Sequence, residues 1–476
     1  MAICRPSNRH NMGIGEMHEE MSLDSYLKSQ EQRYLDLYFR LLRQPSVSAQ
    51  RLGVEECARL LCDTMGELKI NGEVLPTTGL PVVYGELQVH PAAPTLLIYG
   101  HYDVQPPEPY EAWVSPPFEP TVRDGRVYAR GSADNKGQLL PHLFAVDALR
   151  AIGALPRLNY KFLFDGEEEM GSPSLPAFVQ ANRERLKADQ LYCSDGPYDP
   201  SGRPTILFGV RGLLYLELEC EWANRDLHSG QFGNVVPNPA WTLVKLLATM
   251  KDARGHVTIP GFYDEVVPPT PHERQLLAAL PFSEKDFTAS LGLPPEVGLE
   301  AQDHFEALMF RPTLNIAGFK SGYLGEGTKT VLPSKAVVKI DIRLVESQDP
   351  DRMYHRIAEY VARHAPHVKV RQVGGAVPPA RSSSETPAAQ AIIRAVRDTW
   401  KAEPVITPSA GGTLPMYPFT KILGLPMVFV PYANPDETNH APNENMSLEA
   451  FWRGIRTSAA VFTELSALDR SAFVAR

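Results

Sequence analysis

The chain has 476 residues, 43% of them hydrophobic and 22% charged, which suits about two globular domains and excludes wholesale disorder. A net charge of −9 works against a general nucleic-acid surface, which would carry a basic face, and no apolar run approaches the ~18 residues of a membrane span. The five cysteines, an odd number at low density, do not make a disulfide framework and suit a reducing compartment.

Residues 1–22 contain no apolar signal-peptide core, so they read as a tail and a cytoplasmic location is expected. Ser22 is positioned to cap a helix over 23–42, where Tyr34, Leu35, Tyr38, Leu41 and Leu42 recur at helical spacing. A second helix is predicted over 54–68, with Cys57 and Cys62 as packing residues. "TLLIY" (95–99) reads as a buried strand, "GQLLPHLFAVDALRAIG" (137–153) as a helix between two glycines, and "LNYKFLF" (158–164) as a strand. "SLPAFVQANRERLK" (174–187) follows as a helix and "QLYCSD" (190–195) as a strand. This alternation predicts an α/β architecture with a mostly parallel sheet.

The texture changes near Gly212. "LLYLELECEW" (213–222) alternates like an amphipathic strand of an open sheet. A helix over 239–251, a Pro-rich stretch over 259–312, a strand over 336–345, a helix over 350–364 and a strand over 368–373 come next. "PPARSSSET" (378–386) reads as a linker, after which a helix (387–400) and a strand (425–432) restore the earlier pattern. The organisation expected is a tail (1–22), one α/β domain (23–211 and 383–476) and an insertion within it (212–382).

Chemistry-bearing residues cluster just past the apolar strands. His101 and Asp103 follow "TLLIYG"; Asp134 and Asn135 follow "RVYARGSA"; Glu167, Glu168 and Glu169 follow "YKFLFDG"; Asp195 follows "QLYCS"; His440 follows "VFVPYANPDETN". Ligands of open α/β sheets bind outside those carboxyl ends, so these segments can converge on one crevice. Histidines with carboxylates, and no cysteine, are the donors of a divalent transition metal rather than of a structural zinc knot. The carboxylates exceed the needs of one cation, and without cations they would repel and take up protons. Two metals sharing a bridging carboxylate resolve this. In an extended segment residues two apart face the same way, so Asp103 can accept from the ring N–H of His101 and leave the other nitrogen for metal. Adjacent Glu168 and Glu169 point differently, so one can bind metal while the other handles a proton of water. A metal-free carboxylate-pair glycosidase would leave His101 and His440 without a role. A dimer that only binds metal would not need the second glutamate. The chain has no G-x-S-x-G, H-E-x-x-H or G-x-x-x-x-G-K-[ST] pattern.

The segments "GHYDVQP", "YARGSADNKGQ", "GEEEMGS", "SDG", "DLHSGQFG" and "NHAPNE" occur in this order. Together they resemble the co-catalytic two-metal peptidases and deacylases, and within that family the carnosinase-like dipeptidase branch. The resemblance runs from about residue 30 to the end. It implies a mostly parallel-sheet α/β metallopeptidase domain with an inserted α+β dimerisation and lid domain. It implies that His101 and Asp195 hold one divalent ion and Glu169 and His440 another, with Asp134 between them. Zinc is the first candidate, manganese and cobalt the others. Glu168 would be the general base, Asp103 the orienter of His101, and the Asp134–Asn135 peptide cis. His228 would reach the neighbouring subunit's site in a homodimer and support the oxyanion. Thr330 and Arg343 would hold the substrate's terminal carboxylate, with His440 also facing substrate. Thr413 stands in "GGTLP", where relatives commonly carry serine. The activity implied is hydrolysis of dipeptides or short peptides with a free carboxylate; the alternatives are an N-acyl-amino-acid deacylase or carboxypeptidase of the same family. Related dipeptidases often carry histidine-proline where this chain has "SSSETPAAQ", a departure that bears on specificity rather than metal chemistry. Neither nucleic acid nor membrane is an expected partner.

Overall fold

The computed structural model describes residues 21–294, 297, 299 and 303–473. Of the tail expected over 1–22, residues 1–20 lie outside the described residues. Ser22 does cap the first helix, its hydroxyl accepting from the Ser25 N–H at 3.2 Å. That helix is divided at Gln30 into Leu23–Ser29 and Glu31–Arg43.

The main sheet has eight strands, in the spatial order Asn71–Leu75, Val82–Leu87, Asn159–Asp165, Thr95–His101, Gln190–Cys193, Met427–Phe429, Thr205–Leu207 and Val405–Thr407. Thr95–His101 runs parallel to both its neighbours, and Met427–Phe429 runs parallel to Gln190–Cys193. These four central strands therefore end on one side of the molecule. Strand periodicity sorts their side chains between two layers. Leu96, Ile98, Phe162 and Phe164 join the core under helices Lys136–Ala151, Pro387–Trp400 and Leu448–Ser466. Leu97, Tyr99 and Leu163 join the core on the other face, against Leu175–Ala181 and Phe419.

A second sheet is antiparallel throughout, in the order Thr313–Ser321, Lys335–Leu344, Gly212–Glu221 and Lys369–Gln372. One face packs Leu214, Leu216, Leu218, Ile340 and Ile342 against helices Pro239–Met250 and Pro350–His364. Asp341 and Arg343, at alternate positions, are half-buried on the opposite face. The segment expected to be a linker is partly strand: Ala380–Arg381 pairs with Gly209–Val210, so the chain leaves the main sheet and returns to it side by side.

Three differences from the sequence reading have local causes. The helix expected over 174–187 ends at Ala181, with Asn182 as its cap. The Pro-rich stretch contains helices Pro271–Ala279, Glu284–Ser290 and His304–Phe310; its prolines include one at a helix start, where Thr270 and Glu273 form a capping box. The helix Leu448–Ser466, the longest among the described residues, adds to the expected elements: Ser447 caps it, accepting from the Ala450 N–H at 3.0 Å, and Phe451, Ile455, Phe462 and Leu465 recur at helical spacing on its buried side.

Gly137 lies at the start of the buried helix Lys136–Ala151, where a Cβ would fall onto the Ser132 carbonyl and within 2.7 Å of the Tyr38 hydroxyl. Gly137→Ala should therefore lose about 1–3 kcal/mol by overpacking despite its better helix propensity. The check is the urea midpoint, and an unchanged or higher midpoint would refute the close-packing argument.

Candidate metal centre and cleft

The residues singled out at the strand ends converge. His101 closes its strand with Nε2 3.0 Å from Asp134 Oδ1, 3.7 Å from Asp195 Oδ2 and 3.9 Å from Glu168 Oε2. His440 Nε2 lies 3.0 Å from the other Asp134 oxygen, Oδ2, and 3.2 Å from Glu169 Oε2. One aspartate thus faces a histidine with each of its oxygens. Burial works against the Asp134 charge, but the two histidines standing at its oxygens hold its carboxyl below the usual range. Burial and the Asp134 charge push Asp195 up to about 7, and burial holds Glu168 well above its ordinary value.

The donor set fits divalent cations. His101 Nε2 is buried without a hydrogen-bond partner although it is ringed by carboxylates. His101, Asp134 and Glu169 offer ligand atoms within 4.8 Å of one another. Neutral imidazole and carboxylate oxygen are ligands for zinc, manganese and cobalt alike.

A buried carboxylate fixes the loop that carries Asp134. Glu444, fully buried, accepts from Arg130 Nη1 at 2.8 Å, from the Gly131 and Ala133 N–H groups at 2.9 Å each, and from the Asp134 N–H at 3.0 Å. The next peptide, Asp134–Asn135, is cis, as expected. The Asn135 amide donates to Ser194 O at 2.7 Å, which ties this loop to the strand leading to Asp195. Asp103 orients His101 less directly than expected. The His101 Nδ1 contact of 3.1 Å is to the Asp103 backbone oxygen, and its carboxylate stands 3.5 Å away. That carboxylate instead accepts from the N–H groups of Glu168 and Glu169, each at 3.1 Å, so Asp103 sets the glutamate turn as well as the histidine. Gln105 donates to Glu169 Oε2 at 2.9 Å. Glu444 and Gln105 were both inside the quoted motifs, yet nothing in their spacing announced these roles.

The cleft beside the centre has a volume of about 540 Å³ and is walled by Arg343, Thr413, Leu213 and Val377 as well as by the acidic residues and His440. Arg343 Nη1 donates to Thr413 Oγ1 at 2.8 Å, which draws the second sheet against the "GGTLP" loop. His228 and Thr330 are not in this cleft. They sit together on an exposed ribbon, Leu227–His228 paired with Val331–Leu332, where the Ser229 N–H donates to Thr330 O at 3.1 Å. Thr330 is therefore beside His228. The "SSSETP" departure does not line the cleft either: Thr386 caps the helix Pro387–Trp400, and Ser384 contacts His272 at 3.1 Å.

Residues 97–464 match the model of peptidase family M20/M25/M40. The chain is 30% identical to the human Beta-Ala-His dipeptidase, over 96% of this chain and 90% of that protein. It is also 30% identical to the Cys-Gly metallodipeptidase DUG1 of Candida albicans, over 94% of this chain and 98% of that one. Among solved structures it is similar to the M20 family metallo-carboxypeptidase Sso-CP2 from Sulfolobus solfataricus, with a TM-score of 0.84, 35% identity, and coverage of 91% and 99% of the two chains. Human carnosine dipeptidase 1 aligns with a TM-score of 0.73 and 28% identity, covering 94% and 98%.

Two outcomes are expected. Glu444→Gln leaves Arg130 short of a buried counter-charge, so it should destabilise by about 3–5 kcal/mol and weaken manganese binding about 10–100-fold; unchanged binding by calorimetry would remove Glu444 from the control of Asp134. Chelation should lower the melting temperature, and readded divalent ion at about 100 times its Kd should return about 2.7 kcal/mol.

Proposed function

Because the chain belongs to peptidase family M20/M25/M40, we propose that it is a metal-dependent dipeptidase, cleaving dipeptides or short peptides that carry a free terminal carboxylate. The observation that carries the reading is the single aspartate facing two histidines, with Glu168 alongside, in a cleft that also holds Arg343. Two divalent ions, zinc first with manganese or cobalt as alternatives, would be held by His101 with Asp195 and by Glu169 with His440, sharing Asp134, and when bound would polarise the scissile carbonyl and acidify water.

The remaining work falls to the chain's own side chains. Glu168, whose carboxyl burial holds above its ordinary value, accepts a proton from water and passes it to the leaving amine. Arg343, steadied by Thr413, pairs its planar fork with the substrate's terminal carboxylate. The distance from that fork to Glu168 limits the length of substrate. His228 stabilises the developing oxyanion of a neighbouring subunit. The support is its exposure with Thr330 on a ribbon of the 212–382 module, which also exposes Trp241, Val244 and Phe319. That module is then both lid and dimer contact, with residues 23–211 and 383–476 as the catalytic domain. The free cysteines suit a cytoplasmic location, and among the described residues no helix is long and apolar enough to cross a membrane.

The test is a panel of free dipeptides with matched N-acetylated forms, run on chelated protein and after adding zinc, manganese or cobalt. Metal-restored cleavage of the free dipeptides is expected, with Glu168→Ala about 10²–10⁴-fold slower. Cleavage of the acetylated set alone would make the protein a deacylase. Tight metal binding without turnover would leave a binding protein.

A further inference from the structure

A second cavity, larger than the metal cleft at about 850 Å³, lies between the cleft-facing side of the second sheet and residues of the Pro-rich stretch, and Arg343 lines both. Its walls are cationic on a chain of net charge −9: Arg211, Lys251, Arg254, Arg311 and Arg343 outnumber the carboxylates Glu306 and Asp341. Those carboxylates are already engaged, Glu306 by Arg274 and Arg311, and Asp341 by Arg343 at 3.6 Å. Arg311 is also paired with Asp303, whereas Lys251 and Arg254 form no ion pair among the described residues.

Arg211 is the decisive wall. It is only 8% exposed, its Nε donates to Gly411 O at 2.8 Å, and its Nη1 is buried without a hydrogen-bond partner. Burial and the neighbouring Arg343 charge depress its guanidinium to about 10. A buried donor left unmade is costly, and two neighbouring guanidinium groups call for an anion between them. An apolar side chain entering here would leave Nη1 unpaired, and a lysine would meet like charge.

We propose that this chamber receives the anionic side chain of a substrate's carboxyl-terminal residue, so that the protein favours peptides ending in aspartate or glutamate. The proposal rests on the dipeptidase reading, in which Arg343 takes the α-carboxylate: Arg343 lines both the cleft and the chamber, so the chamber adjoins the residue that holds the substrate's terminus.

The experiment compares kcat/KM for Ala-Glu and Ala-Gln, which match in shape and differ in charge, on the metal-loaded full chain. Ala-Glu should be preferred at least tenfold, through KM, with the preference shrinking as salt rises. Arg211→Gln should bring the ratio toward one. Arg254→Glu, at an exposed position whose side chain forms no ion pair among the described residues, should lower the ratio independently. Equal kcat/KM in the unaltered protein, or a ratio unmoved by both substitutions, would overturn the proposal. Calorimetric binding of free glutamate and glutamine separates the two readings. Tighter glutamate without hydrolysis of any dipeptide would sink the dipeptidase reading and keep the chamber. Equal affinities with active hydrolysis would sink the chamber alone.

Discussion

The site depends on where one carboxylate without solvent is placed. Glu444 has no exposure, and its two oxygens are shared among Arg130 and the N–H groups of Gly131, Ala133 and Asp134. A buried ion pair is weak as a source of stability, because desolvation offsets most of the attraction. Its value is geometric: the donors come from one loop, and the acceptor comes from the segment that carries His440. Arg130 is itself fixed, donating to Pro106 O at 3.3 Å and lying 5.3 Å from the Trp113 ring. The aspartate and one of the histidines that face it are therefore placed by the same clamp. A shift in either segment disturbs both.

What could be read from the sequence follows from period and position. His101, Asp134, Glu168, Glu169, Asp195 and His440 each stand beyond an apolar run, and the parallel arrangement of Thr95–His101 with its neighbours brings those ends together. Such residues are visible because a strand's buried run is visible. Glu444 and Gln105 were not, because a residue that acts by accepting or donating within a loop has no pattern of its own. Arg211 was equally silent: its role comes from Gly411 and Arg343, both far away in sequence. Thr330 shows a different limit. Its proximity to His228 arises from pairing of two short strands across an intervening hundred or so residues, which no local signal encodes.

The "GGTLP" loop is the place where the two sheets' chemistry meets. Gly411 O takes the Arg211 Nε and Thr413 Oγ1 takes the Arg343 Nη1. Both guanidinium groups are thus held by one loop, while their backbones belong to the root of the second sheet and to its strand Lys335–Leu344. Substitution of serine for Thr413 would keep the acceptor, since either hydroxyl can serve. The methyl group adds bulk on the wall of the cleft without changing the bond that positions Arg343.

The crossing between the sheets has a consequence for how the chain could have been assembled. The outgoing strand Gly209–Val210 and the returning strand Ala380–Arg381 are hydrogen-bonded to each other, and Leu213 and Val377 exchange N–H···O bonds of 2.8 and 2.9 Å just beyond. The ends of the intervening segment are thus already closed. Loop-closure entropy depends on how far apart the ends must be brought and only slowly on what lies between them. To the main sheet, everything between those strands is a hairpin connection, and its length and content could change while the strand order around the metal centre stayed the same.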